Sequence, residues 1–73
     1  NRVRTDRVGY NGTVTLRVHG QLRHIGIGRP HKGTHVILLT QDLNVRIVNA
    51  ITGELLRELT IDTSRDYQPR TPK

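Results

Sequence analysis

Apolar and polar residues along this chain follow a period of two, not the 3.6 of a helix. Runs rich in Val, Ile, Leu and Thr, mostly six to eight residues long, are separated by turn signals at short spacing. Those signals are Tyr10-Asn11-Gly12, Gly20-Gln21, Arg29-Pro30-His31-Lys32-Gly33, Gln41-Asp42 and Thr52-Gly53. Such a pattern predicts an all-β sandwich or small barrel. Strands are expected at roughly 2–9, 13–19, 22–28, 34–40, 43–49 and 54–61. Residues 62–73 hold two prolines and little that is apolar, and read as a flexible, disordered C-terminal tail beyond a single domain of residues 1–61.

Two hairpins can be tested by register. A two-residue turn at Gly20-Gln21 places Val14 opposite Ile27 and Leu16 opposite Ile25 on one face. The other face then pairs Arg17 with His24, Thr15 with Gly26 and His19 with Leu22. Arg23 falls opposite Val18 on the apolar side, where its long stem would let the charge snorkel to the rim. In the second hairpin, a loop Ile51-Thr52-Gly53 with Gly53 left-handed pairs Leu43 with Ile61 and Val45 with Leu59 inside. Outside it pairs Arg46 with Glu58 and Asn44 with Thr60, so opposite charges meet. Gly12 and Gly53 are the two glycines expected to serve as structural turns.

Composition narrows the picture. With 73 residues and no Cys, Trp, Phe or Met, the chain makes one small domain with an aliphatic core and no disulfide or thiolate metal site. Its longest apolar run, Val36–Leu39, is too short to span a membrane, and no signal-peptide pattern is present. A start without Met and a loose polar end read as a piece of a longer protein. Apolar residues on both sides of Val36–Leu39 and Leu55–Leu56 exceed what one small core can bury.

The charge is lopsided. Residues 1–35 hold Arg2, Arg4, Arg7, Arg17, Arg23, Arg29 and Lys32 against Asp6 alone, and residues 36–73 balance five bases with five acids. A basic half rich in Arg, Thr, Gly and His suits a polyphosphate partner. Arg17, His19, His24, Arg29 and Lys32 are the expected phosphate contacts, with Arg4 and Arg23 at the margin. Only Tyr10 and Tyr67 could stack on bases, which favours a double-stranded DNA backbone over single strands or RNA.

Other chemistries find less support. Gly26-Ile27-Gly28-Arg29-Pro30-His31-Lys32-Gly33 is similar to a phosphate loop, but its third Gly is misplaced, and neither a Lys-Ser/Thr pair nor a helix follows. Its glycines read either as sites where another part of the chain packs closely or as room for a phosphate backbone. His31 and His35 have ligand-like spacing, yet Pro30 and Gly33 oppose the helix that would align them, so no metal is expected. The six acids offer no catalytic pair and Ser64 has no organised base, so this segment is read as non-catalytic and without a cofactor.

Several strings carry a family resemblance. Val14–Arg17, Gly20–Arg29, Thr52–Thr60 and Arg65–Pro69 resemble the C-terminal domain of bacterial insertion-sequence transposases of the retroviral-integrase type, over most of residues 2–69. The resemblance implies a small antiparallel SH3-like barrel of five to six strands, following an RNase-H-like catalytic core with three metal-binding acids. It further implies binding of transposon-end or target DNA in the bacterial cytoplasm, at the nucleoid. A protein-interaction role, in multimerisation with other transposase protomers or docking to the parent catalytic core, is the alternative.

Overall fold

A computed structural model describes residues 2–69 and shows an all-β protein. Its strands are β1 (Arg2–Arg7), β2 (Thr13–Val18), β3 (Gln21–Gly26), β4 (His35–Gln41), β5 (Asn44–Asn49), β6 (Leu55–Thr60) and β7 (Tyr67–Gln68). They form two sheets, a four-stranded one in the order β1-β4-β5-β6 and a three-stranded one in the order β2-β3-β7. Among the described residues no ladder joins the sheets into a closed barrel. No helix among them is long and apolar enough to cross a membrane.

Strand alternation builds the core. Val14, Leu16 and Val18 of β2 and Ile25 of β3 turn inward from the small sheet, with Ile27 just beyond it. Val36, Leu38, Val45 and Ile47 face them from the large one. Val8 and Ile61 fill the ends, and Leu43, Leu56 and Leu59 pack at the margin. The intervening residues of β4, Ile37 and Leu39, turn outward, as the doubly apolar run requires.

The first hairpin departs from the expected register. Its turn is His19-Gly20, with both residues at positive φ (51° and 76°), and Val18 pairs with Gln21. Two consecutive left-handed residues match the right-handed twist of the flanking strands, and His with Gly supplies them more cheaply than Gly with Gln. Val14 therefore faces Ile25, Leu16 faces Arg23, and Thr15 faces His24. Because the slip is two residues, every side chain keeps its expected face.

The second hairpin pairs as expected. Asn44, Val45 and Arg46 face Thr60, Leu59 and Glu58, and Arg46 Nε donates to Glu58 Oε2 at 2.8 Å. The Ile61 N–H donates to the Leu43 carbonyl. Gly53 is left-handed (φ 79°), and a register shift follows Ile47, where Val48 pairs with Leu55.

The segment expected to be a loose tail is ordered through Pro69; residues 70–73 lie outside the described residues. Tyr67 and Gln68 pair in parallel with His24 and Ile25 as β7. Gln68, 3% exposed, accepts the Asp62 N–H at Oε1 and donates from Nε2 to the Asp62 and Arg65 carbonyls. This polar strap replaces the apolar burial that its composition denies it.

Candidate nucleic-acid interface

Arginine placement decides which cations face solvent. Arg23 is 3% exposed, and its Nη1 donates to the Thr63 and Arg65 carbonyls at 3.2 and 3.1 Å. Asp66 Oδ1 stands 3.8 Å from the same nitrogen. Arg23 therefore does not reach the rim, because the strap covers it and supplies acceptors. Arg4 is half-exposed, but its Nη2 is held by Asp6 and the Thr15 carbonyl. Both expected marginal contacts are thus engaged within the fold.

Four of the six acids (Asp6, Glu58, Asp62 and Asp66) pair with Arg4, Arg46, Arg65 and Arg23. Among the described residues, Arg2, Arg7, Arg17, Arg29 and Lys32 have no carboxylate within ion-pair distance. All five belong to the basic half of the chain.

Four of these cations form two clusters instead of one patch, and the fifth, Arg7, lies beside His35. At the turn end, Arg2, Arg17 and His19 line a cleft of about 330 Å³ shared with Val18, Thr40, Asp42 and Leu43. Arg2 Nη2 donates to the Arg17 carbonyl, and Arg17 Nη1 to that of Gly20. At the opposite end of β2, Arg29-Pro30-His31 forms a single 3-10 turn, and Lys32 Nζ lies 5.1 Å from the centroid of the Tyr10 ring. Arg17 lies five residues along the chain from Gly12, whose Cα is seated against Arg29, so the clusters are roughly 16 Å apart at strand rise. His24 is exposed on β3 between them.

Gly26 of the loop-like motif, and Gly12 across from that motif, are closely packed within the fold. A Cβ on Gly26 would come within 2.7 Å of the Tyr67 hydroxyl, so the strap's ring occupies that space. Gly12 (φ 83°) is buried, and a Cβ there would meet Gly28 C and Arg29 N at 2.6 Å. Its carbonyl accepts from Ile27 and Gly28, which locks the two basic-end loops together. Close internal packing accounts for Gly12 and Gly26, whereas Gly33 (φ 80°) has open space around it.

His19 lies in the β2–β3 turn, His24 on β3, His31 in the 3-10 turn and His35 on β4, and His35 Nε2 lies 3.4 Å from Arg7 Nη2. No group of three or more His, Asp or Glu among the described residues is placed to hold a metal. Two relevant residues escaped sequence reasoning. Arg2 was legible as another uncompensated base, but its neighbourhood with Arg17 depends on how the sheets meet. Tyr10 was legible as a turn aromatic able to stack, but its place beside Lys32 was not.

Compared with family models, with curated proteins and with solved structures, the chain finds no match.

Proposed function

We propose that this is a non-catalytic DNA-binding accessory domain, the C-terminal, SH3-like module of an insertion-sequence transposase of the retroviral-integrase type. Arg2, Arg17, His19, His24, Arg29 and Lys32 contact the phosphate backbone of double-stranded transposon-end or target DNA, in the bacterial cytoplasm. The carrying observation is the sorting of charge: four of the six carboxylates pair with Arg4, Arg23, Arg46 and Arg65, while Arg2 and Arg17 at one end of β2 and Arg29 and Lys32 at the other have none. Phosphate contacts position a protein and carry little base information.

Titration of labelled duplex DNA at several salt concentrations tests the reading. Neutralising about four phosphates gives a log–log salt slope of roughly −3 to −4. Joint reversal, Arg17→Glu with Arg29→Glu, should weaken binding to all sequences alike. Unchanged affinity in that variant overturns the assignment.

One observation favours a second role. The outer face of the four-stranded sheet carries Val3 beside Leu39, and a cross-strand row Ile37, Val48, Leu55. Val3, Leu39 and Leu55 are exposed there, a composition suited to protein docking against another protomer or the catalytic core. Salt-insensitive absence of DNA binding, with mass rising with concentration, selects this reading instead.

A further inference from the structure

Tyr10 sits where nothing in the fold needs an aromatic ring. It is 87% exposed, at the tip of the loop between β1 and β2. The loop beneath it is nonetheless tightly built. The Gly9 N–H donates to the Thr13 carbonyl, the Gly12 N–H to that of Gly9, and the Thr13 hydroxyl to Asn11 Oδ1. Gly33 N–H donates to the Val8 carbonyl, tying in the segment that carries Arg29 and Lys32. The ring is therefore presented by a braced platform, and ordering a two-torsion side chain on binding costs little.

Its surroundings are cationic. Lys32 Nζ stands over the ring at 5.1 Å, and Arg29 is on the adjoining turn. With 87% of the residue still open, Lys32 leaves most of the ring free. A flat π-surface beside two cations without carboxylate partners matches one chemical object, an aromatic base with its own phosphates. Bases inside an intact duplex have no free face. An unpaired base at an end or overhang has one.

We propose that Tyr10, Lys32 and Arg29 form a stacking corner for an unpaired nucleotide, through which this domain prefers frayed or overhanging DNA to continuous duplex. Tyr10 stacks on the base while Lys32 and Arg29 hold the flanking phosphates. This proposal rests on the DNA-binding reading, but it can fail by itself.

The chain's lack of Trp and its two tyrosines make the test direct. In a Tyr67→Phe protein Tyr10 is the sole tyrosine, so quenching of tyrosine emission reports on its ring. A blunt duplex and the same duplex with a four-nucleotide overhang are titrated against it. The expected result is quenching by the overhang alone, with about tenfold tighter binding, within the range of base–aromatic stacking. Tyr10→Ala should erase that preference and leave blunt-duplex affinity within about twofold, while Tyr10→Phe retains it. Salt-dependent binding of both DNAs without preference or quenching overturns the stacking corner and leaves backbone binding standing. Failure to bind either DNA overturns both.

Discussion

The two sheets meet along two seams, and both are bridged by guanidinium groups bound to backbone carbonyls. At the β1–β2 seam, Arg2 and Arg4 reach from an edge strand to the carbonyls of Arg17 and Thr15. Gly9 N–H takes the next outward carbonyl, Thr13, so a row of edge acceptors is covered. At the opposite seam, Arg57 Nη1 donates to the Gly26 and Gln68 carbonyls at 2.7 and 2.9 Å, and Nη2 to Pro69 at 2.7 Å. Arg23 holds the strap from below. The chemistry is alike, but the bonds of the first seam are exposed and those of the second are part-buried. Water can replace an exposed donor, whereas a buried carbonyl that loses its partner bears the full desolvation cost. Number of hydrogen bonds therefore says little about which seam holds the fold together, and burial says most.

The hardest blow to this contrast is removal of the strap. A chain ending at Ile61 leaves Arg23 and Arg57 without the strap carbonyls, at a cost of about 5 kcal/mol or more, comparable with the whole stability of a small domain. Loss of a cooperative urea transition is the expected outcome. Next come the single substitutions Arg57→Ala and Arg23→Ala, each expected to cost about 2–4 kcal/mol, the first by leaving part-buried carbonyls without a donor and the second by emptying the space beneath the strap. Arg2→Ala and Arg4→Ala, by contrast, should each cost less than about 1 kcal/mol, since their bonds are exposed. Equal shifts of the urea midpoint across the four variants would break the comparison.

A smaller effect concerns acid. The Asp62 carboxyl lies below its ordinary value because the Ser64 hydroxyl and N–H donate to it, with Arg65 and Arg23 adding attraction against some desolvation. A depressed folded value means this contribution is fully present above the unfolded carboxylate value and fades as pH falls through the lower folded one. Carboxyl NMR of the Ser64→Ala protein should show Asp62 returning toward the ordinary range. No movement would assign the depression elsewhere.

How far such features can be read beforehand depends on what encodes them. Alternation in Thr13–Val18 assigns faces, and faces survive a two-residue slip of the turn, so Leu16 and Ile25 were placed inside despite the wrong partners. Opposite charges at Arg46 and Glu58, with Gly53 at the turn, made the second hairpin legible. The strap was not. Its order rests on Arg23 and Arg57 bonding to carbonyls distant in sequence, with Gln68 bonding to nearby ones, and hydropathy has no signature for either. The basic patch was legible in content but only partly in layout. An antiparallel hairpin returns the chain to the start of β2, so the distance of Arg29 from Arg17 was implicit in either register. The approach of Arg2 to Arg17 was not, because it depends on how the sheets meet.

Burial of Arg23 beneath β7 also has a consequence for synthesis. Residues 63–68 are made some forty positions after the arginine they cover, so the growing chain carries an uncovered guanidinium opposite Leu16 until almost the whole domain has emerged. Small-sheet assembly is thereby tied to the arrival of the last strand. Completion of the small sheet thus awaits residues 63–68, the segment that accommodates this charge.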